Sequence, residues 1–248
     1  MTMLLLLLSL ASVQASEKLL IASIEPAAVE NGVVSELVWE GDELVVLVAV
    51  PKGAGHEPRF YALPGPRVAL RQLAEPPAGR EDYWRRKSSR ISPTGLGKIR
   101  KTNDSQLPMT GIGSLESRLD NAADFGGTTQ KVEVHLDSLL LHATTGRDPY
   151  DGEVWAWSPA ETNRIAYIDG KGDLWIAGAD GSRAKRLGKG DFLLPAWSLD
   201  GRAVAVVERN AGKKRWDVYV FTVPQSPVTF STTGRQTGDS ASSVTFGF

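Results

Sequence analysis

Trp155-Ala156-Trp157-Ser158-Pro159, Arg164-Ile165-Ala166-Tyr167-Ile168, Asp173-Leu174-Trp175-Ile176 and Ala184-Lys185-Arg186-Leu187 form the first half of a duplicated stretch running from Gly152 to Phe221. The second half is Pro195-Ala196-Trp197-Ser198-Leu199-Asp200-Gly201, then Ala203-Val204-Ala205-Val206-Val207, then Trp216-Asp217-Val218-Tyr219-Val220. Trp157 and Trp197 lie 40 residues apart, and Asp173 and Asp217 lie 44 apart. Short strands repeating about every 40–45 residues are the sequence signature of a β-propeller blade. The turns agree with the period. Asp180-Gly181 supplies the positive φ that a tight hairpin needs, and Gly170-Lys171-Gly172 does so between the second and third strands. Ser158-Pro159 and Leu199-Asp200-Gly201 stand where the first strand reverses into the second.

Pro195 to Gly201, followed by an apolar strand and Asp217-Val218-Tyr219-Val220, resembles the TolB-type propeller repeat. That family's pattern reads Pro-x-Trp-Ser-Pro-Asp-Gly, a strand, Asp-Ile-Tyr-Val, then Arg-Leu-Thr. The first copy matches through Trp157-Ser158-Pro159, Asp173-Leu174-Trp175 and Lys185-Arg186-Leu187, and departs at Ala160-Glu161-Thr162-Asn163. The resemblance covers about 70 residues and implies a fold more than a function. It leads to the expectation of an all-β chain: a β-propeller of four-stranded antiparallel blades, irregular or incomplete, with about four to five blades rather than the family's six.

Composition narrows the function classes. With 248 residues and 42% hydrophobic content the chain can bury a sizeable core. A formal charge of -1 offers no global grip on nucleic acid. Cysteine is absent, which removes disulfides and thiolate metal sites, and the three histidines, His56, His135 and His142, are scattered. Leu4 to Leu8, Ser9 and Leu10 followed by Val13-Gln14-Ala15 read as a signal peptide over 1–15, although its start lacks Lys or Arg. The apolar run is shorter than the roughly 20 residues a membrane-spanning helix needs. The expected location is therefore periplasmic or extracellular, with no transmembrane span in the mature chain.

The propeller domain is expected over 16–227, with 228–248 as a closing strand (through Val228-Thr229-Phe230) or a flexible tail. Lys18 to Ile24 is a strand that, by analogy, completes a blade begun at the other end of the chain. A blade follows around Trp39, the counterpart of Trp157 and Trp197, with strands at Glu43–Val50, Arg59–Leu63 and Val68–Leu73. The segment at about 80–130 fits poorly. Its basic residues, Arg85, Arg86, Lys87, Arg90, Lys98, Arg100 and Lys101, read as a solvated loop or worn blade, or as a contact for an anionic surface or acidic partner. Arg90 to Ile99 echoes the tryptophan turn with Ile91 in its place, marking a blade remnant. Lys131–Leu136 and Leu139–Thr144 are the last strands of a half-legible blade before Gly146.

In a propeller, fourth-to-first connections and second-to-third hairpins share a rim. That geometry gathers Arg147, Asp148, Tyr150, Asp151, Lys171, Asp191, Phe192, Lys213 and Arg215 as partner-binding residues. Mixed charges with aromatics suit a protein or peptide. Asp148 and Asp151 are weak calcium ligands at best, because the loop lacks oxygen density. No cofactor and no catalytic residue is expected; no Gly-x-Ser-x-Gly, His-Glu-x-x-His or phosphate loop is present. The expected role is an exported interaction or scaffolding module binding an envelope protein or peptide, with no nucleic acid. The alternatives are a propeller hydrolase acting on glycans or lactones, and an accessory subunit of a larger membrane complex. Export predicts that mass spectrometry of secreted or periplasmic protein finds an N-terminus near Ser16; an intact Met1 on cytoplasmic material is the opposing result.

Overall fold

A computed structural model describes residues 17–65, 68–102, 131–145, 149 and 151–224. Its strands are β1 (Lys18–Ile24), β2 (Val33–Glu40), β3 (Glu43–Lys52), β4 (Gly55–Leu63), β5 (Arg71–Leu73), β6 (Ile99–Lys101), β7 (Lys131–Leu136), β8 (Leu139–Thr145), β9 (Trp155–Trp157), β10 (Arg164–Ile168), β11 (Leu174–Gly178), β12 (Lys185–Gly188), β13 (Phe192–Trp197), β14 (Ala203–Asn210) and β15 (Arg215–Thr222). One α-helix, α1 (Arg80–Ser88), joins β5 to β6. The described chain is all-β in character, and its strands pair antiparallel in four sheets, ordered β2-β3-β4-β5, β6-β7-β8, β9-β10-β11-β12 and β13-β14-β15-β1.

Three of these sheets follow the sequence expectation strand for strand. The second merges two features that the sequence presents separately. Ile91 bridges Lys98, and the Ile99 amide donates to the Arg90 carbonyl at 2.7 Å, so the remnant at Ile91 leads directly into β6. The half-legible blade before Gly146 and the remnant are one sheet. In the fourth sheet, the outer place beside β15 belongs to β1, with Lys18 opposite Phe221 and Ile24 opposite Trp216. The alternative closing strand at Val228–Phe230 lies outside the described residues.

Strand periodicity explains where the core sits. Side chains alternate faces along a strand, and β14 is buried on both. Val204 and Val206 pack with Trp157, Leu187 and Phe221 against the third sheet. Ala205 and Val207 pack with Leu37, Val46 and Val48 against the first. A strand enclosed on both sides has no place for a polar residue, hence the unbroken apolar run Ala203 to Val207. At the reversal into β11, Gly172 has φ +84°, and a Cβ there would stand 2.8 Å from the Gly190 carbonyl oxygen. Both the left-handed backbone and the close approach require glycine.

The first strands are linked by their tryptophans. Trp39 Nε1 donates to the Ala196 carbonyl (3.1 Å), Trp197 Nε1 to Ala156 (3.0 Å), and Trp157 Nε1 to Ser89 (2.6 Å). Trp157 and Trp197 are each 1% exposed, so these indoles are buried and hydrogen-bonded at once.

The basic segment corrects the expectation of a solvated loop. Arg80–Ser88 is a helix, with Glu81 and Asp82 in its first turn and Arg85, Arg86 and Lys87 in its last, the order that a helix dipole favours. Its buried residues Tyr83, Trp84 and Lys87 face the first strands β2, β9 and β13. The Tyr83 hydroxyl donates to the Trp197 carbonyl at 2.7 Å. Lys87 Nζ donates to the carbonyls of Leu37 (3.3 Å) and Pro195 (3.5 Å), from two different sheets. Truncating Trp157 or Trp197 to Ala is expected to cost about 3–5 kcal/mol in denaturant titration. A loss below about 1 kcal/mol at both would exclude the shared anchoring role.

Candidate functional site

The rim formed by the β10–β11 hairpin, the β12–β13 connection and the β14–β15 connection is built from short, self-supporting turns. The Asp169 carboxylate accepts the amides of Lys171 (2.9 Å) and Asp173 (3.0 Å) and the Trp175 indole (2.9 Å), which fixes the hairpin with Lys171 exposed. The Phe192 amide donates to the Gly172 carbonyl at 3.0 Å, joining that hairpin to the next connection. Asp191 is exposed there, and its carbonyl accepts the Arg209 amide at 3.4 Å. Lys213 is exposed in the last connection, where its amide bonds Asn210 Oδ1 at 3.1 Å. Lys171, Asp191 and Lys213 are thus exposed at the same end of the third and fourth sheets.

The other expected site residues behave differently. Phe192 is fully buried, edge-on to Phe221 at 5.6 Å, so it serves the core and offers no surface to a partner. Arg215 is half-buried and clamps Asp217, with Nε 2.9 Å from Oδ1. Asp151 is largely buried and pairs with Arg90 (2.9 Å) and Lys101 (3.3 Å), which ties it to the second sheet. Arg147, Asp148 and Tyr150 lie outside the described residues.

The two repeat aspartates have equivalent work. Asp173, 5% exposed, accepts Arg186 Nη1 from the fourth strand (3.0 Å) and the Gly190 amide (3.2 Å). Asp217, 2% exposed, accepts Ser23 Oγ from β1 at 2.6 Å. Each carboxylate fastens the outer strand of its own sheet, and that explains their repeat spacing. Asp200, at a first-strand reversal, is held below the usual carboxylate range mainly by the Ser198 hydroxyl. Burial, with Asp169 nearby, pushes the Tyr167 phenol up to about 12.

Sequence reasoning missed a polar pair deeper in. Glu36, 1% exposed on β2, accepts Arg80 Nη2 on Oε2 at 2.7 Å. Glu36 Oε1 and Arg80 Nε have no hydrogen-bond partner among the described residues. The signal was a glutamate inside an apolar strand, and the i, i+3, i+4, i+7 spacing of Arg80, Tyr83, Trp84 and Lys87. Arg80 also lines a cavity of about 430 Å³ with Arg59, Phe60, Gln72 and Leu73. Among the described residues, no group of three or more His, Asp or Glu is placed to hold a metal ion. His142 Nδ1 lies 3.0 Å from the Ile168 carbonyl, and His135 Nε2 lies 3.1 Å from Glu133.

No protein-family model matches the chain, and no curated protein matches it. Among the described residues, no helix is long and apolar enough to cross a membrane. Replacing Asp173 with Ala is expected to cost about 1.5–3 kcal/mol, the range for hydrogen bonds to a charged group. Hydrogen exchange should then show faster opening at Gly190; unchanged exchange and stability would remove the clamp.

Proposed function

We propose that the four sheets are blades of an irregular TolB-like β-propeller, exported to the cell envelope, that acts as a non-catalytic protein-interaction module. The observation that carries this reading is the rim: Lys171, Asp191 and Lys213 are exposed at one end of the third and fourth sheets, on backbone that Asp169, Asp173 and Asn210 hold in place. Rigid turns presenting alternating charge bind at a low ordering cost and favour a partner with complementary charges. An envelope protein or peptide is the corresponding ligand.

The space between the first strands favours the same reading over a hydrolase. A propeller hydrolase needs acidic or histidine side chains gathered at the mouth of the central channel. Here α1 is packed against β2, β9 and β13, and Glu36 is paired to Arg80 beneath it. The accessory-subunit alternative relied on the basic segment as a contact. Lys87 is buried, and Arg90 and Lys101 are paired to Asp151, so those cations serve the fold.

Photo-crosslinking in living cells tests the interaction. A crosslinker at Lys171, Asp191 or Lys213 is expected to trap a discrete partner. One at Leu199, exposed on a first-strand reversal at the opposite end of the sheets, is expected to trap none. Equal trapping at both ends, or none at the rim, would sink the proposal.

A further inference from the structure

The fourth sheet is closed by a strand from the other end of the chain, and that strand is lightly held. Only Ile24 of β1 is fully buried, while Leu19 is 48% and Leu20 38% exposed. Its specific contacts are concentrated on the fourth sheet. Ser23 Oγ donates to Asp217, the Glu17 amide donates to Thr222 Oγ1 at 2.8 Å, and Lys18 Nζ sits 3.7 Å above the Tyr219 ring and 3.7 Å from Glu208. Ile24 belongs to the core between the first and fourth sheets, with Ile21 and Ala22 packed against it, so an exchanged strand must return the same three side chains to the margin of that core.

The connection from β1 to β2 is short and strained. It turns through a 3-10 segment, Pro26–Val29, and then through two successive non-glycine residues in the left-handed region, Glu30 (φ +52°) and Asn31 (φ +60°). Such backbone is disfavoured for residues with a Cβ and persists only where its surroundings enforce it. Gly32 follows under tight confinement: a Cβ there would stand 2.4 Å from Val48. An extended connection releases the left-handed backbone at Glu30 and Asn31. Short hinges under strain are the setting in which an element is exchanged between copies.

We propose that β1 is an exchangeable closing strand, and that two copies of the chain trade it to form a strand-swapped dimer. Without β1, the edge of β15 from Trp216 to Phe221 presents a row of unpaired backbone groups, which recruit a strand. A second copy's β1 is the best-matched occupant, because it restores the same rungs, the same Ser23–Asp217 bond and the same seat for Lys18. The proposal is independent of the rim reading.

The cysteine-free sequence makes the test direct. One tagged version carries Leu19→Cys and a differently tagged one carries Val220→Cys, since these residues face each other across the β1–β15 ladder. Both are unfolded, refolded together at high concentration, treated with a short bis-maleimide, and separated by size with light scattering. The expected result is a covalent pair bearing both tags, confined to the dimer fraction. A single chain carrying both cysteines should link internally in its monomer fraction. Asn31→Gly, which relaxes the hinge, should lower the dimer fraction several-fold. Monomer alone after refolding would overturn the proposal, as would a dimer without the cross-link while the double variant links internally. A dimer fraction unchanged by Asn31→Gly would remove hinge strain as the driver and the proposal with it.

Discussion

A buried indole must place its N–H on an acceptor or lose much of what its burial contributes. In this chain that requirement is met across sheet boundaries. Half-buried Trp39 reaches from the first sheet to the fourth, buried Trp197 from the fourth to the third, and buried Trp157 from the third to the backbone at Ser89 leading into the second. Each tryptophan fixes both the depth of its own strand and the position of the strand it bonds. The repeat spacing is therefore a packing constraint: a one-residue slip would turn the indole to the opposite face.

The series ends where Ile91 replaces tryptophan, and Ile91 is 55% exposed. α1, which precedes it in the chain, adds bonds to the first and fourth sheets, the pair that Trp39 joins. Lys87 donates to Leu37 and Pro195, and Tyr83 donates to Trp197. A buried ammonium is costly without partners; here two carbonyls and the Trp84 ring at 4.7 Å receive it. The helix thus reinforces the junction that Trp39 makes between the first and fourth sheets, with a charged group beside a neutral one.

Strand legibility in the sequence followed burial on defined faces. β10, β11 and β14 were plain because period-two patterns, turn glycines and tryptophans coincide there. β1 was legible as a strand, and its place in the last sheet was expected only by analogy with propellers closed by a terminal strand. The helix was hidden because its inner face mixes Arg80, Tyr83, Trp84 and Lys87, and charged residues on a buried face defeat hydropathy patterns. At the rim, the exposure of Lys171, Asp191 and Lys213 followed from their place in the connections between strands. Phe192 was misread because it stands one residue past the turn, already inside β13. Asp151 was misread because sequence distance conceals its partner Arg90, 61 residues away; Arg215 was misread because its partner Asp217, two residues on, shares its face of β15.

The pairing of β1 with β15 has a consequence for the order in which the molecule is completed. Ser23 emerges from the ribosome early, yet its partner Asp217 lies 194 residues later. The first of the described strands waits for the last of them, and the fourth sheet stays unfinished through most of synthesis. Closing so long a loop adds only modestly to its entropic cost, but contacts this distant slow the search for the native state. Until β14 is made, the side of the third sheet that packs on it is uncovered, so the nascent chain exposes apolar surface late into synthesis.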